Sequence, residues 1–169
     1  MLTTDQKGAI AEAAIALAAI KLGIEVYRPV AEGGRFDMIF VIDDRLLRVQ
    51  CKWAPLFGDT VIVRTYSNRR AREGLRRRVY TAEEIDAFAA YCPDLDRCYF
   101  LPIGSFAART QVYLRLSPTR NNQRSLVNWA KDFEFDAKLG RQIGAVAQLG
   151  ERRAGSAKAT GSSPVGSTR

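Results

Sequence analysis

The stretch from Arg35 to Lys52, RFDMIFVIDDRLLRVQCK, leaves this chain few ways to fold. Ile39 to Ile42 and Leu46 to Cys51 are dense in aliphatic, aromatic and β-branched side chains, which suit the pleated surface of a sheet. Asp43 and Asp44 between them tolerate the positive φ that a two-residue hairpin loop demands. With those two residues as the whole loop, Ile42 pairs with Arg45, Val41 with Leu46, and the register runs back to Asp37 opposite Gln50. Directly opposed residues share a face, with Cβ atoms about 5 Å apart, and Lys52 projects from the same side as Gln50. Met38, Phe40, Leu47, Val49 and Cys51 then fill the other face as core.

An acid, an amide and an amine are thereby brought together. A hard cation such as Mg²⁺ takes oxygen ligands, which Asp37 and the Gln50 carbonyl supply, while the Lys52 ammonium can stabilise charge on a phosphate or hold an attacking water. Alternating polar and apolar residues also describe any half-exposed hairpin, so the pattern alone leaves a solvated face open. Context selects between them.

An acid, a short hairpin, an acid or amide, one residue and a lysine, preceded by a helix bearing Glu12, resembles the PD-(D/E)XK nuclease superfamily. The sequence is more closely similar to its group I intron-associated homing endonucleases, in which Gln takes the place of the usual second acid. The blocks that carry the resemblance are KGAIAEAAIALAAIKLG, YRPVAEGGRFD, VQCK, YTAEEIDAFAAYCPD, RCYFLPI and YLRLSPTRNNQRSLVNWA, from about Thr4 to Phe135. It implies an α/β fold with a restriction-endonuclease-like core, a mixed central sheet flanked by helices. It implies Glu12, Asp37, Gln50 and Lys52 as the active site. Glu12, Asp37 and Gln50 would hold Mg²⁺ or Mn²⁺, and Lys52 would position or activate the hydrolytic water. Gln50 removes one formal charge from that metal site, which gives Glu12 more weight. The implied activity is endonucleolytic hydrolysis of double-stranded DNA at a long specific site. Single-site nucleases cut two strands by pairing subunits, so a homo-oligomer, dimer or tetramer, is expected. A structure-specific nuclease such as a Holliday-junction resolvase, or a non-catalytic DNA-binding protein of the same fold, are the alternatives.

Composition narrows the chemistry independently. The chain has no histidine, which removes Ser-His-Asp, Cys-His and His-metal mechanisms and leaves carboxylates and lysine for acid-base and metal work. Cys51, Cys92 and Cys98 are odd in number and lack C-x-x-C spacing, so neither a disulfide framework nor a zinc cluster is indicated. No segment approaches a membrane span, and Thr3 to Lys7 lead directly into a helix without a basic-then-apolar signal region. The reading is a cytoplasmic protein of prokaryotic type with no membrane partner. A net charge of +8 fits a polyanion partner.

In chain order, a helix is expected from about Thr4 to Leu22, capped by Thr3 or Thr4 and stopped by Gly23. Ile10, Ala14, Leu17, Ala18 and Leu22 are its expected buried stripe, with Glu12 off the centre of that stripe, and Gly8 would let the helix pack closely against the hairpin. Ile24 to Val30 reads as a strand closed by Pro29. Glu32 in the following loop reads as a loop charge, and Arg35 suits either a phosphate or a nearby carboxylate. After the hairpin, Asp59 to Tyr66 reads as a strand. Arg69, Arg70, Arg72, Arg76, Arg77 and Arg78 then form the densest charge in the chain, and arginine throughout favours contact with DNA phosphates and base edges. A second helix is expected from Thr81 to Pro93, opened by the T-x-x-E capping pattern through Glu84. Strands follow at Arg97 to Ile103 and Val112 to Leu116. Arg120, Asn121 and Asn122 in a turn-rich segment offer further donors to DNA, and Ser125 to Phe135 reads as a terminal helix.

The composition changes near Gly140. Residues 1 to 139 read as the endonuclease domain and 140 to 169 as a disordered tail rich in Gly, Ala and Ser. Arg141, Arg152, Arg153, Lys158 and Arg169 against Glu151 give this tail +4, half of the net charge. The basic character of the folded part therefore centres on Arg69 to Arg78. The tail also reads as translated transfer RNA gene. Ala147 to Arg152 back-translates to GCT CAG CTG GGA GAG CGC, a D-arm, and Gly161 to Pro164 to GGT TCG AGT CCC, a T-arm, at the separation those arms have in a transfer RNA. This hypothesis requires the nucleotide sequence there to fold as a cloverleaf, and sequencing that finds no cloverleaf ends it.

Overall fold

The computed structural model describes residues 1–31, 33–71, 74–118 and 126–140, and of 69–71, 75 and 76 the backbone only. The chain opens with α1 (Thr4–Lys21), whose first turn is closed by a reciprocal cap in which Thr3 and Gln6 each accept from the other's backbone N–H. Its buried residues are Ala11, Ile15 and Ala19, whereas Ile10 and Leu17 face outward with Ile20. The expected stripe is thus displaced around the helix. Small alanines line the inward side because α1 lies flat on a sheet, where short side chains bring the two closest.

That sheet is mixed and five-stranded, in the order β1 (Glu25–Tyr27), β2 (Met38–Ile42), β3 (Arg45–Trp53), then Ala87–Cys92 and Arg97–Pro102. β2 and β3 are antiparallel in the register expected of the hairpin, Ile42 with Arg45 through Met38 with Val49. Asp43 and Asp44 carry φ of 51° and 60°, the two positive values of a type I′ turn. Asp44→Gly removes the left-handed penalty and is expected to raise stability by about 0.5 kcal/mol, measured by urea unfolding.

Between these strands the chain forms β4 (Leu56–Phe57), β5 (Thr60–Arg64), β6 (Tyr66–Ala71) and β7 (Gly74–Val79), so that Ala87–Cys92 is β8 and Arg97–Pro102 is β9. β6 and β7 make a two-stranded antiparallel ribbon. The arginine-rich stretch, read from sequence as bare charge, is therefore built largely on strands. β8 corrects the helix expected from Thr81 to Pro93. It lies parallel to β3 and antiparallel to β9, with Ala87 and Ala89 in the core under α1 and Phe88, Ala90 and Cys92 in the core on the other side. A strand buried on both faces carries no polar alternation, so its alanines resemble a helix. The Thr81 to Glu84 pattern survives as a turn, with the Glu84 N–H donating to Thr81 O at 3.1 Å and the Thr81 N–H to the Glu84 carboxylate at 3.3 Å. Arg48 on β3 pins the segment by pairing with Asp86 at 3.0 Å and donating to the carbonyls of Ala82 and Glu83.

On the face of the sheet opposite α1 sits a second sheet, in which β5 pairs with both β4 and β10 (Gln111–Arg115). Its Val61, Val63, Val112 and Leu114 pack against Phe88, Tyr99 and Leu101. Past β9, α2 (Ile103–Phe106) is a single turn. The terminal helix expected at Ser125 to Phe135 is instead a 3₁₀ turn at Ala130–Asp132 followed by α3 (Phe135–Lys138), whose Phe135 docks edge-on against Phe40 and Phe100. Residues 141 to 169 lie outside the described residues, so the tail belongs to the sequence reading alone.

Candidate active site

Asp37 stands one residue before β2, where its N–H donates at 2.9 Å to the carbonyl of Val49, the residue that Met38 opposes, so the regular ladder ends at Met38. Its carboxylate turns to the Gln50 side of the hairpin. Oδ2 accepts from the Cys51 N–H at 2.8 Å and from Gln50 Nε2, which leaves Oδ1 without a protein partner among the described residues. Burial holds the Asp37 carboxyl above the usual carboxylate range, against the pull of the Cys51 amide, the Lys52 charge and Gln50. Gln50 itself is buried, and its amide presents nitrogen to Asp37. As oriented, it steadies the carboxylate; turned over about its last torsion, it presents oxygen in the same place.

Lys52 is two residues further along β3. Its ammonium donates to Tyr66 O and to the Tyr80 hydroxyl, each at 3.3 Å, and lies 4.7 Å from the Tyr80 ring centroid. Burial brings its pKa down to about 8, with Asp37 acting in the opposite sense. Desolvation thus disfavours the charged form of both groups.

Glu12 reaches the same place from α1. It lines with Asp37 a groove of about 600 Å³, which also takes in Asp5, Gly8, Arg28 and Gly34. Glu12 pairs with Arg28 at 3.7 Å. Both carboxylates raise the pKa of the buried Cys51 thiol, after burial itself, which fixes their shared neighbourhood. Gly8 corrects an expectation. A side chain there would meet nothing within 4 Å, so the glycine widens the groove and does not serve helix packing. Gly33 bends the groove's outer wall at φ 84°.

Arg35 stands beside Lys52 but is committed elsewhere. Its guanidinium pairs with Glu84 at 2.7 Å, donates to Val79 O at 2.9 Å and Ser67 at 3.1 Å, and stacks 3.9 Å from the Tyr80 ring centroid. The nearby carboxylate, one of the two partners the sequence left open, is Glu84. Arg78 joins the same Glu84, and Arg77 stacks on Tyr66 at 4.3 Å. Arg69 and Arg70 on β6 and Arg76 on β7 are placed as ribbon positions, with Arg69 opposite Arg76. Arg72, Arg120, Asn121, Asn122 and Glu32 fall outside the described residues. Sequence reasoning missed Arg28, Tyr66 and Tyr80. No short-range pattern marks them, because each acts through a partner distant in sequence.

Among the described residues no three His, Cys, Asp or Glu side chains are grouped to hold a metal ion. The donor set is instead two carboxylates in one groove with an amide beside one of them. Asp37 meets the chemical requirement of a hard cation, a desolvated carboxylate with one oxygen unused.

A sequence model of the PD-(D/E)XK endonuclease family matches residues 2–136. The chain belongs to that family. This PD-(D/E)XK endonuclease also shares its fold with a solved bacterial homing endonuclease, I-Ssp6803I, at a TM-score of 0.66 and 24% identity, covering 87% of this chain and 99% of the other. The mixed sheet with α1 laid on it is therefore the restriction-endonuclease-like core expected from the resemblance. No curated protein sequence matches significantly. No helix among the described residues is long and apolar enough to cross a membrane.

Proposed function

We propose that this endonuclease is metal-dependent and cuts double-stranded DNA at a long specific site, as a homing endonuclease does. The observation that carries the reading is the proximity of a desolvated Asp37 carboxylate and a desolvated Lys52 amine, each feeling the other's charge, beside a groove that also receives Glu12. Asp37, Glu12 and the Gln50 carbonyl would hold Mg²⁺ or Mn²⁺, which supplies Lewis acidity to a phosphate ester. The chain's own part is electrostatic. The Lys52 ammonium donates to the phosphate oxygens on which charge develops and holds the attacking water in line, and the Cys51 N–H fixes the Asp37 carboxylate without occupying both of its oxygens.

The ribbon supplies a DNA-binding element. A two-stranded antiparallel ribbon fits the major groove of B-DNA. Like charges at directly opposed positions, as at Arg69 and Arg76, oppose pairing until a polyanion offsets them. Two active sites are needed for two strands, and the outward Ile10, Leu17 and Ile20 of α1 offer an apolar surface for a second copy.

The test is cleavage of supercoiled plasmid carrying the locus around this gene, with Mg²⁺ or EDTA. The expected result is cutting at one place with Mg²⁺ only, lost in Lys52→Ala while DNA binding survives. Preferential cutting of branched over linear DNA favours the junction-resolving alternative, and metal-independent binding without cutting favours the non-catalytic one.

A further inference from the structure

Tyr80 follows the last residue of β7 and is 5% exposed, in T-shaped contact with Phe88 at 5.4 Å. A phenylalanine would fill that position equally well. The buried hydroxyl therefore needs its own explanation, since a buried polar group is unfavourable unless it is hydrogen-bonded. Its hydrogen-bond partner is Lys52, which donates to it at 3.3 Å, and the Ser67 hydroxyl lies close by. Ser67 in turn accepts from Arg35 at 3.1 Å, and Arg35 stacks on the same Tyr80 ring. The other acceptor of Lys52 is Tyr66 O. Both acceptors thus belong to the arginine ribbon, one at its first residue and one just past its last. A lysine side chain carries high rotamer entropy, so an amine that must meet a phosphate in one geometry has to be held.

We infer that Tyr80 is a positioning residue for Lys52, through which the base of the arginine ribbon sets the amine toward the scissile phosphate. The inference rests on the nuclease reading above for its catalytic consequence. The juxtaposition of Tyr80, Lys52 and the ribbon base does not depend on that reading. The hydroxyl holds the ammonium at one end of its swing, and a ribbon seated on DNA fixes where that end lies.

Two measurements on the full chain test it. Tyr80→Phe keeps the ring and its packing and removes only the hydroxyl. In single-turnover cleavage of the plasmid at saturating enzyme, it is expected to cut about tenfold more slowly, because small misplacements of a reacting group are costly in rate. Its DNA Kd should stay within about twofold and its Tm within about 2 °C, since the ring still packs. An unchanged rate in Tyr80→Phe overturns the inference, and so does a loss of rate matched by loss of binding and Tm, which is what a purely structural role gives. The second measurement needs no cleavage. In protein labelled with ¹³C-lysine, the Lys52 Cε–Hε signal, assigned by its absence in Lys52→Arg, is expected upfield of the other lysines from the Tyr80 ring current. It should return to their position in Tyr80→Leu. A Lys52 signal at the ordinary position in the wild type overturns the inference even if the protein cuts DNA. If the wild type cuts nothing, the nuclease reading fails while the lysine signal still decides whether Tyr80 holds Lys52.

Discussion

Lys52→Met is expected to lower the cleavage rate by about a thousandfold and to make the metal-free protein more stable by about 2 kcal/mol at pH 7. The first effect follows from removing the positive charge that meets the phosphate. The second follows from burial. The Lys52 amine has its pKa brought down from 10.5 to about 8, because desolvation disfavours the ammonium more than Asp37 favours it. Each pKa unit is worth about 1.4 kcal/mol, and part of the gain is returned because Asp37 loses a neighbouring positive charge. The pH window follows from the two ends of the shift. Below about 8 the amine is charged in both folded and unfolded chains, and the full penalty of burying it applies. Between about 8 and 10.5 the unfolded chain binds more protons, so wild-type stability rises with pH relative to Lys52→Met. Denaturant unfolding in EDTA at several pH values reads the difference directly. The advantage of Lys52→Met should be largest at pH 7 and close as the pH approaches 10.5. A constant difference across that range would show that Lys52 is not desolvated. A residue that weakens the fold it sits in is retained for what it does.

The parts of this site that were legible in the sequence are those fixed by a period of two. The Asp43-Asp44 turn and the pleat fix the register from Ile42 with Arg45 to Met38 with Val49, so the hairpin could be built from its own residues, and Asp37, just beyond the last pair, still meets Gln50 through its side chain. Glu12 was reached only through family resemblance. α1 carries apolar residues all round, so its inward face could not be read from spacing, and Ile10 and Leu17 were assigned inside while Ala11 and Ile15 occupy that place. The Thr81 to Pro93 segment failed for a related reason. Its residues are buried on both sides of a sheet, and a strand without a solvent face loses the alternation that identifies it. The ribbon was hidden by the opposite condition, a run dense in arginine with few apolar residues to show an alternation. What holds Lys52 was not legible at all, since Tyr66 and Tyr80 reach it only when β6 and β7 fold back across the hairpin.

Asp37→Asn carries the other large effect, and it separates metal binding from folding. In the apo protein the substitution is expected to stabilise. The Asp37 carboxyl is pushed up by burial, so between its unfolded value of 3.8 and its folded one the native chain binds more protons, and wild-type stability falls as the pH rises through that interval. At neutral pH the ionised group therefore weighs against folding. Asparagine keeps the interactions: its carbonyl, in the place of Oδ2, accepts from both the Cys51 N–H and the Gln50 amide nitrogen. Adding Mg²⁺ should reverse the order. A cation bound only by the folded wild type stabilises it by about 2.7 kcal/mol at a hundred times Kd, while Asp37→Asn, lacking the anionic oxygen, should gain almost nothing. Thermal unfolding with and without Mg²⁺ measures both halves, independently of any DNA. Cleavage should fall by at least about a hundredfold in the same variant, since the charge that balances the cation is gone. If Mg²⁺ raises the Tm of both proteins equally, the metal is held elsewhere, and Asp37 is left as a buried acid with two donors and no catalytic use.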